Sequence, residues 1–456
     1  MKSGLLVAVA ALAVGISVPV GAALAAAPAK AKPVEKPAWV TDEERDFVRN
    51  RVCAVEGTPG APEGDAKRFY SNKEKTEYVE FNYDESKTGT YTLEDPLAFA
   101  DGRKLKDKGE WAERRREILK IFESEVYGRM PPKPDEMVVD LVSEKLTADR
   151  FARERRYRMY FRKDRTGPII DWVVFIPRYA KKPCPVILHL NYKGNDVIAS
   201  GRTNHYVLPL DQFTVRGYAF MSAQYTQISS DCDHGKRCDD VFNGVFELWG
   251  KRDPNATDNP GSIMAWAWGL CRGLDLAERI PEIDAKRNVV TGSSRLGKTA
   301  LLAAAFDERF AVCVPNQTGA VGVQLMKRDF GENLKGQRLA LAHWYCKGVW
   351  KYMDNPASQP FDQHLLLACV APRALLLECY HKRWFDPVGE FLAAKAASPV
   401  WEFLTGKGLG LEEMPPPYCD DYVKPPFGYV RRTEMHGLSP YDWKWTLDFA
   451  DRVFGR

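Results

Sequence analysis

The fold of this 456-residue chain is decided by residues 288–305, which read Asn288-Val289-Val290-Thr291-Gly292-Ser293-Ser294-Arg295-Leu296-Gly297-Lys298-Thr299-Ala300-Leu301-Leu302-Ala303-Ala304-Ala305. A β-branched run ends in a tight glycine turn, and an Ala- and Leu-rich segment typical of a helix follows. Strand, turn and helix in this order form the context in which α/β proteins place ligand-binding and catalytic groups.

Two incompatible motifs fit this stretch. Residues 292–299 satisfy the phosphate-binding pattern G-x-x-x-x-G-K-[ST]. Ser294, two residues after Gly292, also lies where a nucleophile elbow holds its serine. The fit to the elbow is imperfect, because Leu296 occupies the position of the second glycine and Gly297 comes one residue late.

Three features count against a phosphate loop. The apolar start of the chain, described below, predicts an export signal, and nucleoside triphosphates are scarce outside the cell. No later apolar strand ends in an obvious magnesium-binding Asp, and the motif comes after several predicted strands. A serine hydrolase instead requires a histidine late in the chain, and His436 lies in a polar segment just before the last predicted helix. The serine-hydrolase interpretation is therefore favoured.

The composition sets broad limits on function. Hydrophobic residues make up 45% of the chain and charged residues 28%, as in ordinary globular proteins. A net charge of +4 is too small to indicate nucleic-acid binding. No cysteine or histidine spacing suggests zinc, and ester hydrolysis by serine needs neither metal nor cofactor. Cys232 and Cys238 share a polar loop and could pair, whereas Cys271, Cys313, Cys369 and Cys379 lie in apolar segments, where a buried free thiol and a disulfide are both open.

The first residues are typical of a secretory signal peptide. Lys2 precedes an apolar run, and the small-residue site Ala23-Leu24-Ala25 follows it. An uncleaved membrane anchor is the alternative, although the run is short for a span of ~20 residues. We therefore predict a signal peptide over 1–25, a flexible leader over 26–40, and one catalytic domain with an N-terminal extension over 41–456. The mature protein would be periplasmic or secreted.

The rest of the pattern predicts an α/β protein. Strands are expected at 137–144, 153–162, 169–176, 185–190, 218–223, 310–314 and 371–378, and helices at 111–127, 263–280 and 443–454. Strands alternate with helices throughout the second half. This alternation indicates a mostly parallel central sheet with helices on both faces, a three-layer sandwich.

Several segments together resemble the glucuronoyl esterases. Residues 292–298 are similar to the family motif G-C-S-R-x-G-K, with Ser293 in place of the cysteine. The resemblance covers most of the chain from about residue 90 onward, and it includes residues 111–116, 126–129, 265–270, 327–332, 343–346, 362–364, 371–373 and 384–387. It implies an α/β-hydrolase fold and the cleavage of 4-O-methyl-glucuronic acid esters, which join glucuronoxylan to lignin alcohols.

The resemblance also implies a role for individual residues. Ser294 would be the nucleophile, His436 the general base, and Arg295 a side-chain donor to the oxyanion. Substrate contacts would come from a lysine, a carboxylate and an indole ring, which are Lys298, Glu332 and Trp384. The first two would hold sugar hydroxyls, and the third would flank the sugar ring.

The chain departs from the family at the acid of the catalytic triad. Relatives place a Glu in a Pro-Gln-Glu-Ser-Gly-like turn, or an Asp two residues before the tryptophan of a later loop. Gln317 and Lys382 occupy these two positions here, and neither side chain can be the acid. A glutamine could orient the histidine by accepting a hydrogen bond, but it would not stabilise an imidazolium by charge. Glu378 and Asp386 are the alternative acids nearby in sequence.

Three functions therefore remain open from the sequence. The first is an active glucuronoyl esterase, with a polysaccharide or oligosaccharide uronate ester as its substrate. The second is an esterase of the same fold for other sugar esters, such as acetylated xylan. The third is a carbohydrate-binding pseudoenzyme, because both usual acid positions are non-acidic. A monomer without a nucleic-acid partner, and without membrane attachment once the signal is cleaved, is expected in each case.

Overall fold

A mixed sheet of nine strands runs through the computed structural model of the chain, which describes residues 54–56, 68–70, 76, 78–200, 208–231, 241–433 and 436–456. The predicted signal peptide and leader lie outside these residues, as do Cys232 and Cys238. Among the described residues seven cysteines are free thiols, and they include the four in apolar segments: Cys184, Cys271, Cys313, Cys346, Cys369, Cys379 and Cys419.

The predicted strands are present with bounds that agree to within a few residues, whereas β1, β2, β3 and β12 below were not predicted. A small antiparallel sheet contains β1 (Ala54–Glu56), β2 (Arg68–Tyr70) and β3 (Tyr78–Glu80). The main sheet contains β4 (Val138–Leu146), β5 (Ala152–Tyr160), β6 (Ile169–Pro177), β7 (Cys184–Asn191), β8 (Ala219–Gln224), β9 (Ile283–Ser293), β10 (Val312–Asn316), β11 (Ala374–Tyr380) and β12 (Phe427–Arg432).

The order across the main sheet is β12-β11-β10-β9-β7-β8-β6-β5-β4. The six strands from β12 to β8 are parallel, whereas β8, β6, β5 and β4 pair antiparallel. The predicted mostly parallel sheet is therefore confirmed. The carboxyl ends of the six parallel strands share one edge, where open α/β sheets bind ligands.

Helices cover both faces of the sheet. They are α1 (Trp111–Phe122), α2 (Asn195–Ser200), α3 (Leu210–Val215), α4 (Tyr225–Ile228), α5 (Ser262–Ala277), α6 (Arg295–Phe306), α7 (Leu334–Leu341), α8 (Gln363–Ala368), α9 (Pro387–Thr405) and α10 (Pro440–Phe454). Among the described residues, none of the helices combines the length and the apolar character needed to cross a membrane.

Alternation along the strands divides the core between the two faces. Val174, Leu188 and Val290 pack in the core that includes α1, α5, α6 and α9, whereas their neighbours Val173 and Ile187 pack in the core that includes α3 and α10. Successive strand residues point to opposite faces, so a parallel strand buried on both sides consists almost entirely of apolar residues. The result is the predicted three-layer sandwich.

One predicted helix ends differently from a regular α-helix. The periodic segment 111–127 is α-helical to Phe122, and a wider turn of five residues, Glu123–Tyr127, completes it. Gly128 then ends the helix with φ of 84°. A side chain at Gly128 would lie 2.4 Å from the Asn259 carbonyl oxygen, so only glycine fits this junction.

Candidate active site

Ser294 lies at the sharp turn between β9 and α6, at the carboxyl edge of the sheet. Its φ of 61° and ψ of −128° place it in a strained backbone region, and its N–H donates to the Asn316 carbonyl at 2.9 Å. The turn needs both of its glycines. A Cβ at Gly292 would lie 2.4 Å from the Leu296 carbonyl oxygen, and one at Gly297 would lie 2.7 Å from that of Asn316. The late second glycine therefore still serves a nucleophile elbow.

The same turn is not a phosphate cradle. The N–H groups of Gly297 and Lys298 donate to the Ser294 carbonyl at 2.9 and 3.0 Å. The Thr299 hydroxyl donates to the Arg295 carbonyl at 2.9 Å. A phosphate loop needs these backbone donors for the phosphates and the hydroxyl for magnesium. Here they begin a helix instead, so the match to the phosphate-binding motif is a coincidence.

His436 is held by the amide of Gln317, at the end of β10. The ring Nδ1 lies 2.7 Å from Gln317 Oε1, and the Gly437 N–H donates to the same oxygen at 3.1 Å. The second donor fixes which end of the amide is the oxygen. Because Oε1 can only accept, Nδ1 carries the proton. The lone pair of neutral His436 is then on Nε2, which is the arrangement that a general base requires.

Aromatic rings and cations surround the histidine. The rings of Phe385 and His436 have centroids 4.8 Å apart, and that of Tyr380 lies at 6.0 Å. Desolvation lowers the pKa of His436 to about 3, and the charge of Arg432, followed by those of Arg295 and Lys298, acts in the same direction. His436 is therefore neutral at ordinary pH, and no carboxylate contacts its Nδ1 among the described residues.

Glu378 lies on β11, the strand next to the one that precedes Gln317, and its carboxylate contacts groups other than His436. Its two carboxylate oxygens accept from Asn316 Nδ2 and from the Thr446 hydroxyl, each at 2.9 Å. Burial raises the pKa of Glu378 well above its ordinary value, and the neighbouring Asp442 raises it further. Its link to Gln317 is a backbone one, because its carbonyl accepts from the Gln317 N–H at 2.8 Å.

Asp386 is the N-terminal cap of α9 and the counter-ion of a buried arginine. Its Oδ2 lies 2.8 Å from Arg328 Nε, and its Oδ1 accepts from the Gly389 N–H at 2.9 Å. Burial raises the pKa of Asp386, although Arg328 opposes this shift. Of the candidates at the acid position, Gln317 is therefore the one that the fold brings to the His436 ring.

Arg295 is anchored by Asp231, a residue that the sequence alone did not single out. The two side chains form a short ion pair. The Asp231 carboxylate also accepts from His343 Nε2 and Trp344 Nε1 at 2.8 Å each, and from the Tyr225 hydroxyl at 2.9 Å. Burial alone would raise the pKa of Asp231, yet Arg295 and the hydrogen bond from His343 hold it well below its ordinary value. A fixed carboxylate thus orients the arginine that follows Ser294 in the chain.

Lys298 lies one turn into α6, beside the same aromatic group. Its Nζ is 5.4 Å from the centroid of the Trp344 ring, over which the Arg295 guanidinium also lies at 4.7 Å. Burial lowers the pKa of Lys298, whereas the nearby Glu332 opposes this shift. Glu332 accepts from the Ala320 N–H at 3.0 Å. The elbow therefore faces an ammonium and a carboxylate that could bind sugar hydroxyls.

Trp384 and Lys382 are both buried next to this group. The Trp384 ring packs edge-to-face on Phe81 with centroids 4.7 Å apart, and its carbonyl accepts from the Glu332 N–H at 2.8 Å. The Lys382 carbonyl accepts from the Phe385 N–H at 2.9 Å, which fixes the turn that carries the ring beside His436. The loop after β11 thus contacts Glu332 through the Trp384 carbonyl and His436 through the Phe385 ring.

Sequence reasoning missed Asp231, His343, Trp344 and Phe385 as members of this site. The length and polarity of segment 224–259 could have pointed to functional residues within it, because loops of this length are commonly functional. However, Asp231 is 64 residues from Arg295 in the chain and 112 from His343. No local spacing links such residues.

Comparisons with known proteins place the chain in a family. The family described as glucuronyl esterase of fungi matches residues 169–405. The carbohydrate esterase MZ0003 from an unknown prokaryote is 33% identical over 81% of this chain and 91% of its own length. The 4-O-methyl-glucuronoyl methylesterase of Podospora anserina is 26% identical, over 68% of this chain and 60% of that protein.

Solved structures share the fold closely. The glucuronoyl esterase from Solibacter usitatus superposes with a TM-score of 0.73 at 32% identity, and the alignment covers 82% of this chain and all of that one. A promiscuous CE15 esterase from a marine bacterial metagenome has the same TM-score at 31% identity, over 82% of this chain. These similarities show that the chain belongs to the glucuronoyl esterase family.

Proposed function

We propose that this protein is an exported glucuronoyl esterase that cleaves esters of 4-O-methyl-glucuronic acid on glucuronoxylan. The observation that carries the proposal is that Ser294 and His436 are held by consecutive residues at the end of β10, Asn316 and Gln317. A strained Ser294 begins α6 next to an arginine, and a neutral His436 has its proton on Nδ1. Its relatives are named as glucuronoyl esterases and 4-O-methyl-glucuronoyl methylesterases, which supports the same substrate class.

The first half of the reaction forms an acyl-enzyme. His436 Nε2 accepts the Ser294 hydroxyl proton as Oγ attacks the ester carbonyl. Negative charge develops on the carbonyl oxygen, where the Arg295 guanidinium and the amino terminus of α6 stabilise it. The intermediate collapses when the C–O bond to the alcohol breaks, and His436 returns the proton to the leaving alkoxide. In the second half, water takes the place of Ser294 as nucleophile and the uronic acid is released.

Gln317 determines how well this cycle runs. It orients the ring and selects the tautomer, as a triad carboxylate would. It provides no charge to stabilise the imidazolium that forms in each half-reaction, and burial together with Arg432, Arg295 and Lys298 already disfavours that cation. We therefore expect an active esterase whose turnover is below that of relatives with an acidic residue at this position.

Substrate recognition is proposed for the groups across from the elbow. Lys298 and Glu332 would bind hydroxyls of the uronate ring, where their burial strengthens each hydrogen bond. Trp384 would form a wall of the sugar site through the loop that it shares with Phe385. Metal ions and cofactors have no step in this scheme.

The decisive experiment is hydrolysis of a benzyl glucuronate ester by the wild-type protein and by Ser294→Ala. We expect turnover by the wild type and none by the variant. If the wild type hydrolyses acetylated xylan but not the uronate ester, the substrate assignment is wrong. If it hydrolyses neither ester yet binds glucuronoxylan, the protein is a binding protein and the esterase proposal fails.

Export and oligomeric state have separate tests. The residues supporting export are the charged start at Lys2, the apolar run and the small-residue site ending at Ala25. N-terminal sequencing of protein secreted or released from a periplasm should begin at Ala26. A mature protein that retains Lys2 would contradict a cleaved signal. Light scattering of the mature protein should give the mass of a monomer.

A further inference from the structure

A cavity of about 660 Å³ lies apart from the nucleophile elbow. Its lining shares no residue with the group around Ser294 and His436. The volume is within the ~300–1,000 Å³ that small-molecule sites occupy. The lining residues are Pro132, Lys133, Pro134, Asp135, Glu136, Phe161, Arg162, Lys163, Asp164, Glu247, Leu248, Trp249 and Trp268.

Strand register places this cavity on the same edge of the sheet as the elbow. β7 and β9 are parallel, with His189 opposite Thr291, so both strands end near Ser294. β8 is parallel to β7, and β6 runs antiparallel to β8 with Trp172 opposite Ala223. The start of β6 therefore lies at the carboxyl ends of the parallel strands. The β5–β6 turn, which supplies 161–164 to the cavity, lies at that edge too.

Aromatic rings form one wall of the cavity. Trp249 is partly exposed, and its ring packs edge-to-face on Trp268 with centroids 5.6 Å apart. Phe161 contacts the other side of this group, 5.1 Å from Trp268. Trp268 is fixed in turn, because its Nε1 donates to the Pro132 carbonyl at 2.9 Å. A rigid, partly exposed indole in a concave site suits the apolar C–H face of a pyranose ring.

The charges of the lining nearly cancel. The lining contains three basic and four acidic residues, and two of the basic residues already form ion pairs. Arg162 lies 2.8 Å from Glu247, and Lys133 lies 3.2 Å from Asp275 outside the cavity. Lys163, Asp135 and Glu136 remain as donors and acceptors at the rim. Such a lining does not attract an ion, but it offers both hydrogen-bond partners that a hydroxyl group needs.

We propose that this cavity binds uncharged sugar residues of the polysaccharide that carries the uronate ester. The inference rests on the proposed function, because it takes the chain attached to that ester as the occupant. A polymer held at the elbow and at this cavity would span one edge of the sheet. The second contact would increase affinity for polymeric esters and leave the chemistry at Ser294 unchanged.

The test compares one small and one polymeric ester. Trp249→Ala should raise KM for a glucuronoxylan-linked ester about fivefold or more, with kcat unchanged and with both constants unchanged for benzyl glucuronate. Lys163→Ala, at an exposed rim residue that leaves the core intact, should show a smaller effect of the same kind. Tyr179→Ala is the matched control. It removes a ring that is 74% exposed between β6 and β7, at the opposite edge of the sheet.

Equal effects of Trp249→Ala on both esters, or no effect on either, would overturn the proposal. Direct titration of Ser294→Ala with xylohexaose separates this inference from the esterase assignment. Binding that Trp249→Ala abolishes in the Ser294→Ala background supports the cavity even if no ester is hydrolysed. Failure to bind any neutral oligosaccharide, alongside normal benzyl glucuronate hydrolysis, refutes the cavity and leaves the esterase proposal intact.

Discussion

Replacing Gln317 with glutamate should make this protein a faster esterase. The variant Gln317→Glu puts a carboxylate oxygen where Oε1 now lies, 2.7 Å from His436 Nδ1 and 3.1 Å from the Gly437 nitrogen. Both donors suit a carboxylate better than an amide. Nothing is lost at the other end of the side chain, because Gln317 Nε2 is buried and has no hydrogen-bond partner among the described residues.

The size of the effect follows from the charge that is added. Two unit charges ~4 Å apart attract by ~4 kcal/mol at an effective dielectric constant of ~20. Desolvation of a buried carboxylate removes part of this, so we expect a net stabilisation of the imidazolium by ~1.5–3 kcal/mol. A gain of this size corresponds to a kcat increase of ~10–100-fold. The pKa of His436 should rise by ~1–2 units from about 3.

The assay is hydrolysis of benzyl glucuronate from pH 4 to pH 9. Gln317→Glu should raise kcat and move the acid limb of kcat/KM to higher pH. Gln317→Leu, which keeps the volume but has no acceptor, should lower kcat. Gln363→Glu, at the buried start of α8, is the control for a buried charge on another element and should leave kcat unchanged. A folded Gln317→Glu protein with kcat at or below that of the wild type throughout this range would refute the reasoning.

Three further predictions concern the charged groups around the site. Asp231→Asn should lower kcat ~10–100-fold with little change in KM, because Arg295 loses its anchoring anion. The control Asp140→Asn breaks an exposed ion pair with Arg165 at 2.9 Å and should change neither constant. An unaltered kcat in Asp231→Asn would show that Arg295 needs no anchor. The kcat/KM of the wild type should stay flat as pH falls from 7 to 5, because the lowered pKa of His436 keeps its base form populated down to about pH 3; a loss of activity near pH 6.5 would contradict this. Burial raises the pKa of Glu390 to about 8 in the folded protein, above its value of 4.5 when unfolded, so its contribution to stability is complete below about pH 4.5 and is lost as pH rises through 8. Glu390→Gln should therefore raise the melting temperature at pH 8.5 more than at pH 5, and equal shifts at the two pH values would show that Glu390 does not titrate in this range.

The elbow itself shows how local sequence can decide geometry. Gly292 and Gly297 are required within one turn of Ser294, and the strand before and the helix after follow from β-branched and alanine-rich runs. The Gly292 contact with Leu296 joins residues four positions apart, and composition and spacing were enough to predict the turn, whereas the contact that requires Gly297 is with Asn316 on the neighbouring strand. The three-layer sandwich follows for the same reason, because fully apolar strands alternate with amphipathic helices.

The partners of the proposed catalytic groups could not be predicted from local sequence. Gln317 and His436 are 119 residues apart, and their hydrogen bond exists because β10 and the loop after β12 end at the same edge of one sheet. Glu378 and Asp386 lie close to that edge in sequence, yet strand register turns the first toward Thr446 and helix capping turns the second toward Arg328. Asp231 also contacts Arg295 through tertiary packing, because 64 residues separate the two in the chain.

The sequence by itself determined the nucleophile elbow, the α/β sandwich and the resemblance to the glucuronoyl esterases, because each rests on short-range pattern. Only the tertiary structure decided which side chain contacts the histidine and what holds Arg295, because strand order and register bring together groups that are remote in the chain. The same register placed a cavity lined by tryptophan at the edge that bears Ser294. Such juxtapositions depend on the sheet as a whole, and no local motif encodes them.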